Sequence, residues 1–175
     1  LQQARTIWRE RVRELLTRYG KIDLLWFDGG CFDNEIRDFA RSLQPHLVIN
    51  SRSCAGDFDT SECKLPDQRC TGWVETPHCW QSSDVLAPSE SPVDFWGYLS
   101  AETYKSTAWM LEHLVRLRAW GANFLVNVGP RPDGEMPEVV YQRLQETKDW
   151  MSAHRACVIG TTAGPLPEIA DVPVT

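Results

Sequence analysis

The chain has 175 residues, of which 42% are hydrophobic and 24% are charged, a composition typical of globular proteins and not of disordered ones. Its formal net charge of -6 argues against a nucleic-acid partner or an anionic membrane surface. No apolar run approaches the roughly 20 residues of a membrane-spanning helix. The chain starts inside a helical pattern and lacks an initial Met, so we expect a piece of a longer protein.

Helices and strands alternate in the first part of the predicted order. Apolar residues at helical spacing predict a helix that stops at Gly20, and the nearly continuous apolar run 22–27 predicts a strand buried on both faces. A short helix near 33–43 and a strand over 47–50 follow. After a polar loop, a further strand is predicted over 71–75.

The same alternation continues after a long loop that contains three prolines. A helix is predicted over 103–119, a strand over 123–128, a helix after Pro137 and a last short strand over 157–160. About five strands separated by helices indicate parallel βα units, which form either an open doubly wound sheet or the later part of an eight-stranded barrel. No Gly-rich phosphate loop follows any of these strands, which argues against a nucleotide cofactor.

The cysteines and histidines give no metal site. None of the six cysteines forms a Cys-x-x-Cys pair, and the four histidines lack ligand spacing, so no metal or other cofactor is assigned. Four cysteines lie close together in a loop-rich stretch, where one or two disulfides and free thiols both stay open. These four are Cys54, Cys63, Cys70 and Cys79.

Asp28 is the first candidate catalytic residue. It ends the apolar strand and precedes two glycines, which leave room beside its carboxylate. In barrels and open α/β sheets, ligands and catalytic groups gather at the carboxyl ends of the strands. Capping of the following turn is the alternative role for this aspartate, and the local pattern leaves both open.

Further polar groups follow the other predicted strands. Arg52 and Glu62 come after the second strand, Glu75 ends the third, and Asn127 lies close to the end of the fourth. Two carboxylates and an arginine on one rim suit glycoside hydrolysis, in which one carboxylate attacks or activates water and the other protonates the leaving oxygen. Aromatic side chains of the same loops either stack on a sugar or simply pack: Trp26, Trp73, Trp80, Phe95, Trp96 and Tyr98.

Ordered motifs over nearly the whole chain resemble the α-L-fucosidases of glycoside hydrolase family 29. The resemblance rests on a nucleophile strand, an arginine-ended strand, a Gly-Asp-Phe-x-Thr-x-Glu loop, Trp-Glu-Thr and Trp-Gly-Tyr segments and an Asn-Val-Gly-Pro run. In that order the matching segments are 19–29, 44–52, 56–62, 73–76, 96–98 and 121–130.

This resemblance implies a (β/α)8 TIM-like barrel of which only about the last five βα units are present. Residues 1–163 would be the C-terminal part of the catalytic barrel, and 164–175 an extended tail or the start of a linker. The implied reaction is retaining hydrolysis of terminal α-L-fucose from an oligosaccharide or glycoprotein, without a cofactor. It further implies a secreted, periplasmic or lysosomal-type location, and an isolated chain that is inactive because the first part of the barrel is missing.

The resemblance also implies roles for particular residues. Asp28 would be the nucleophile that forms a covalent fucosyl-enzyme, with Arg52 holding a sugar hydroxyl or ring oxygen. Trp96 would line the pocket for the C6 methyl group of fucose. Trp26 and Trp73 would contact the substrate as well.

The proton donor stays open between two glutamates. Glu62 matches one motif of the family and Glu75 another, but Val74 is inserted into the second motif, which favours Glu62 slightly. The carboxyl group of the donor is expected about 5–5.5 Å from that of the nucleophile. Two alternatives to a fucosidase are a barrel glycosidase for another sugar and a non-catalytic carbohydrate-binding barrel.

Overall fold

A computed structural model describes residues 2–29, 33–66, 69–83, 93–100, 103–164, 168–169 and 172–173. The chain divides into two compact units, Leu1–Thr60 and Ser61–Thr175. Of the helices in the described ranges, none has the length and apolar character needed to cross a membrane.

The first unit packs two helices against short parallel strands. Leu24 of β1 pairs with Val48 of β2, and Leu25 pairs with Ile49. The side chain of Asp33 caps the second helix by accepting the backbone N–H of Ile36. The elements of this unit are α1 (Gln2–Arg18), β1 (Leu24–Leu25), α2 (Asn34–Leu43), β2 (Val48–Ile49) and β3 (Asp59–Thr60).

The core of the first unit decides which way β1 presents its side chains. Leu25 and Phe27 are buried in this core. Side chains alternate along an extended segment, so Trp26 and Asp28 point to the opposite face. The buried residues of this core are Val12, Leu16, Leu25, Phe27, Ile36, Ala40, Leu47 and Ile49.

The second unit is built on a longer parallel pair. Strands β4 and β7 pair along their full lengths, from Val74 with Ala122 to Cys79 with Asn127. Two short antiparallel pairs, β5 with β6 and β8 with β9, accompany them. The elements are β4 (Val74–Cys79), β5 (Ser82–Ser83), β6 (Val93–Asp94), α3 (Thr107–Ala119), β7 (Ala122–Asn127), α4 (Glu138–His154), a 3-10 turn (Arg155–Cys157), β8 (Glu168–Ile169) and β9 (Val172–Pro173).

Helix α3 covers one face of the β4–β7 pair. The ring of His78 lies 6.1 Å from that of Trp109 and 5.6 Å from that of Phe124, measured between centroids. His78 and Phe124 thus point toward α3, and the residues next to them along each strand point to the opposite face. One of them, Leu125, is half-exposed although it is apolar.

Most of the predicted elements are confirmed, with shifted ends. The helices near the start of the chain, over 33–43 and after Pro137 are α1, α2 and α4. The predicted strands over 22–27 and 47–50 contain β1 and β2, and the one over 123–128 overlaps β7 except at its first and last residues. Helix α3 begins at Thr107 instead of 103, because the Ser106 side chain caps it by accepting the N–H of Trp109.

The strand predicted over 71–75 is wrong in its position. Strand β4 runs from Val74 to Cys79 and contains Pro77, which argued for a loop. The carbonyl of Pro77 accepts the backbone N–H of Cys63 (2.8 Å), so its ring nitrogen also faces that side. The ladder to β7 does not need an N–H from this proline, and the strand continues through it. Glu75 is consequently the second residue of its strand and not the residue at its end.

The strand predicted over 157–160 is also wrong. Helix α4 runs on into the 3-10 turn, and the N–H groups of Val158 and Ile159 both bond to the carbonyl of Arg155. Gly160 has a φ of 77°, which suits a helix stop signal. Of this apolar run only Val158 is buried. A short apolar run thus closes a helix here.

Two further predictions concern the tail and the cysteines. The tail over 164–175 lies mostly outside the described residues and stays a prediction; its described pieces Glu168–Ile169 and Val172–Pro173 form an antiparallel pair. Cys54 and Cys70 are free thiols whose pKa is raised by burial. Cys31 lies outside the described residues.

Candidate active site

A buried asparagine fixes the carboxyl end of β1. The side chain of Asn50 is fully buried; its carbonyl oxygen accepts the N–H of Phe27 and its amide donates to the carbonyl of Phe27, both at 2.8 Å. The carboxamide thereby acts as a peptide group would in a sheet, and it extends the β1–β2 pairing past the last strand residues. Phe27 directly precedes Asp28, so these two bonds fix the backbone from which the Asp28 side chain extends.

Asp28, Arg52 and Trp26 come together at this end of the strands. The Arg52 guanidinium lies 3.3 Å from Oδ1 of Asp28, and its central carbon lies 5.0 Å from the centre of the Trp26 ring. The Asp28 side chain remains 66% exposed, so the carboxylate is accessible as well as paired. The carboxylate therefore lies beside an opposite charge at the carboxyl ends of β1 and β2.

The loop that carries Arg52 is anchored by an aspartate of the Gly-Asp-Phe motif. Asp57 accepts the backbone N–H of Ile49 at 2.8 Å and two bonds from Arg41 at 2.6 and 2.7 Å. Burial would raise the pKa of Asp57, but the Ile49 N–H and the Arg41 guanidinium together leave this pKa below its usual value. The Asp57 side chain thus binds this loop to the backbone of β2.

Glu62 lies beside the middle of β4. The backbone N–H groups on either side of it are both used: Ser61 donates to the carbonyl of Glu75 at 3.0 Å, and Cys63 donates to that of Pro77 at 2.8 Å. Segment 61–63 therefore runs parallel to 75–77, with Glu62 further toward the carboxyl end of β4 than Glu75. The side chain of Glu62 is exposed.

Glu75 and Trp73 lie at the amino end of the β4–β7 pair. Glu75 pairs with Asn123, the second residue of β7, and Trp73 precedes the strand and is 68% exposed. Trp73 lines a groove of about 340 Å³ together with Arg118, Asn123 and Thr161 among others. This corrects the expectation that both predicted residues sit at the carboxyl rim.

Trp96 lies at the other end of the same pair. Asn127 is the last residue of β7, and its side-chain amide donates to the Trp96 carbonyl at 2.7 Å. Each of the two strands has six residues, which separates their ends by roughly 16 Å. Trp73 and Trp96 therefore lie at opposite ends of the β4–β7 pair.

Sequence reasoning found some of the supporting residues and missed others. Asn127 was singled out as a polar group at a strand end, where the structure shows it binding backbone. Asp57 was missed, although its position in the Gly-Asp-Phe motif gave a signal. In the described ranges, no group of three or more His, Cys, Asp or Glu side chains is arranged to hold a metal ion.

The comparison with protein families decides what kind of chain this is. The model of the family described as "Alpha-L-fucosidase" matches residues 2–156.

The chain belongs to the α-L-fucosidase family.

Individual relatives agree with this membership. The plasma alpha-L-fucosidase of Rattus norvegicus is 28% identical over 167 residues, which cover 85% of this chain and 34% of the relative. Among solved structures, alpha-L-fucosidase isoenzyme 1 from Paenibacillus thiaminolyticus superposes with a TM-score of 0.84 at 26% identity, covering 97% of this chain and 44% of the other.

A further fucosidase structure shares the fold. It is a GH29 alpha-L-fucosidase from Bacteroides thetaiotaomicron, solved as a trapped covalent intermediate, with a TM-score of 0.78 and 20% identity. The alignment covers 94% of this chain and 43% of that one. The chain spans about a third of the length of the curated relatives it matches.

Proposed function

We propose that the full-length protein containing this chain is a retaining α-L-fucosidase, and that this chain supplies its nucleophile. The observation that carries the proposal is the pairing of Asp28 with Arg52 at the carboxyl ends of β1 and β2, in a chain of this family. The substrate is a fucosylated oligosaccharide or glycoprotein, and the reaction needs no cofactor.

The reaction proceeds in two displacements. A carboxylate oxygen of Asp28 attacks the anomeric carbon of fucose while the acid/base glutamate gives its proton to the departing glycosidic oxygen, so the C–O bond to the aglycone breaks. In the second step the same glutamate takes a proton from water, and that water oxygen replaces Asp28 at the anomeric carbon. In the Bacteroides relative, the trapped covalent intermediate is the species formed between two such steps.

Arg52 acts on both partners of the first displacement. Its guanidinium lies 3.3 Å from Asp28 and carries five N–H donors, the groups that bind sugar oxygens. The Trp26 ring beneath the guanidinium limits where it can move, because a cation is attracted to the ring face. Arg52 thus holds the sugar against the Asp28 carboxylate.

Glu62 is the better candidate for the acid/base. Its exposed side chain lies level with the middle of β4, on a segment held by two backbone bonds, whereas Glu75 lies near the amino end of that strand. Catalytic groups of α/β barrels gather at the carboxyl ends, which supports Glu62. Glu75 would then shape the inner face of the sheet.

The complete fold is proposed to be a (β/α)8 barrel. In each unit the helices cover one face of a parallel pair, and an apolar side chain is half-exposed on the other face: Leu24 in the first unit and Leu125 in the second. Interiors of such barrels are filled by side chains from all the strands, so these residues are expected to become buried in the full-length protein.

The test is turnover by the full-length protein. It should hydrolyse 4-nitrophenyl α-L-fucoside much faster than the α-L-galactoside, and Asp28→Ala should abolish turnover while L-fucose still binds in a calorimetric titration. An Asp28→Ala rate equal to that of the wild type would remove Asp28 from the chemistry. A wild-type protein that binds L-fucose without hydrolysing either glycoside would be a carbohydrate-binding barrel instead.

A further inference from the structure

Segment 95–99, which carries Trp96, is held in place at each of its five residues. The carbonyl of Gln81 accepts the N–H of Phe95 at 3.1 Å, and Asn127 donates to the carbonyl of Trp96 at 2.7 Å. At the far end, the Gln81 side chain accepts the N–H of Leu99 at 3.0 Å and donates to its carbonyl at 2.6 Å.

The middle of this segment is in close contact with Gly129. Gly129 lies so close to Gly97 and Tyr98 that a Cβ atom added to it would come within 2.3–2.4 Å of their backbone atoms. Any side chain at position 129 would push the segment away. Gly129 follows β7 by two residues, so the same strand end supplies both Asn127 and this close contact.

Gln81 is itself fixed before it holds anything else. Its side chain is 1% exposed, and it lies two residues after β4 next to the fully buried Trp80. The backbone N–H of Trp80 donates to the carbonyl of Asn127 at 3.1 Å, and this bond joins the ends of β4 and β7. A buried carboxamide with both of its ends bonded has little freedom to move.

The Trp96 side chain contrasts with this anchored backbone. The Phe95 N–H and the Trp96 carbonyl are both hydrogen-bonded, yet Trp96 is 42% exposed. An exposed aromatic ring on a fixed backbone is what recognition of a small apolar group requires, because its position must be set before the ligand arrives.

We propose that Gln81 and Asn127 are positioning residues that fix Trp96 as the wall against C6 of the sugar, and that they thereby determine the preference for fucose over its 6-hydroxy analogue. This inference rests on the proposed function. Neither residue needs to touch the substrate; both act through the backbone of 95–99. Loss of either lets the indole ring move, and a wall that moves no longer excludes a hydroxyl group at C6.

The experiment compares two substrates in the full-length protein. 4-Nitrophenyl α-L-fucoside and α-L-galactoside differ only by the C6 hydroxyl, so the ratio of their kcat/KM values reports the C6 wall. Gln81→Met keeps the volume and removes both side-chain bonds, and Asn127→Ala removes the third. Each variant should lower the fucoside/galactoside ratio of kcat/KM about tenfold, mainly by raising KM for the fucoside. Gln145→Met, at an exposed glutamine of α4, is the matched control and should leave the ratio unchanged.

A double variant separates positioning from general damage. If Gln81 acts through Trp96, Gln81→Met should have no further effect on the ratio in a Trp96→Leu background. Equal losses on both substrates, or an undiminished effect in that background, would overturn the inference while leaving the fucosidase proposal intact. A wild-type protein that turns over neither substrate would overturn both.

A spectroscopic readout covers the case of an inactive variant. The full-length protein is labelled with 5-fluorotryptophan, and the Trp96 fluorine resonance is identified by its loss in Trp96→Leu. Gln81→Met and Asn127→Ala should shift or broaden this resonance, and Gln145→Met should not. A Trp96 resonance that is identical in all of these proteins would overturn the inference.

Discussion

In each unit, a buried side-chain carboxamide binds the backbone near a residue of proposed function, but at a different distance from that residue. In the first unit Asn50 bonds both backbone groups of Phe27, the residue directly before Asp28. In the second unit Gln81 bonds both backbone groups of Leu99, three residues after Trp96. Asp28 directly follows the residue that the carboxamide binds, so its backbone needs no further contact. Trp96 lies three residues from Leu99, so its backbone needs a second hydrogen bond.

The second support differs in kind as well. Asp28 has a charged neighbour, Arg52, that orients the carboxylate itself. Trp96 has Asn127, which binds only its backbone carbonyl and leaves the ring free to meet a ligand. The proposed nucleophile is thus fixed at its reacting atoms, and the proposed aromatic wall is fixed at its backbone. The comparison predicts that changes to the residues that hold Asp28 act on the chemical step, and that changes to the residues that hold Trp96 act on selectivity.

The largest effect outside the nucleophile is expected at the acid/base glutamate, the one chemical group that we assign to the second unit. Glu62→Gly should lower kcat for natural oligosaccharides by about 10²–10⁴-fold, because the leaving oxygen no longer receives a proton. Azide should restore turnover of 4-nitrophenyl α-L-fucoside and give α-fucosyl azide, since it attacks the covalent intermediate.

Glu75→Gly is the matched control for that assignment. It should lose less activity, and azide should not restore it. Rescue of Glu75→Gly together with no rescue of Glu62→Gly would exchange the two roles, and would show that the position of a residue along β4 does not decide which glutamate donates the proton.

A smaller effect is expected when the amide of the first unit is removed. Asn50→Leu is close in volume but removes both hydrogen bonds between this side chain and the buried backbone of Phe27. The loss should destabilise the protein by about 3 kcal/mol and lower kcat more than it raises KM. Urea unfolding monitored by circular dichroism, with exposed Gln145→Leu as the control, measures the first part. A fucoside/galactoside ratio that collapses in Asn50→Leu would break the division between chemistry and selectivity.

The smallest expected effect is a difference in how the two units respond to acid. Burial foremost, and then His78 and Lys105, lower the pKa of His113 below its usual value, although its bond to the Trp109 carbonyl and the charge of Glu112 oppose this. The unfolded chain therefore takes up the proton first, and the second unit loses stability as the pH falls below about 6.5. The folded pKa of Asp57 is also lowered, so its contribution is complete above about pH 4 and is lost as the pH falls through the folded pKa.

Hydrogen exchange on peptides from each unit would follow this difference. Peptides of α3 should lose protection between pH 7 and 5, and those around β2 only below about pH 4. His113→Phe should abolish the first change, and Asp57→Asn the second. Simultaneous loss in both units in the wild-type protein would show that neither group controls its own unit.

How well the sequence predicts this molecule depends on whether local patterns and tertiary contacts agree. The strand before Asp28 is apolar and ends in glycines, and its position is correctly predicted. Pro77 reads as a loop residue, and only the contact of its carbonyl with Cys63 shows why a strand tolerates it. The run ending at Gly160 has strand composition, but the preceding helix supplies the hydrogen bonds.

The candidate site follows the same rule. Asp28 and Arg52 were predictable because each follows an apolar strand, and parallel strands bring their ends together. Glu75 was misplaced because its strand was misplaced. Gln81 carries no local signal at all, since its importance lies in a contact with Leu99, 18 residues away.

The most direct test of the central claim is to trap the covalent intermediate on the full-length protein. A 2-deoxy-2-fluoro-fucosyl fluoride should inactivate the enzyme with one fucosyl group bound per chain, and peptide mass spectrometry should find that group on Asp28. A label on Glu62, on Glu75 or on any other residue would contradict the assignment of Asp28 as the nucleophile.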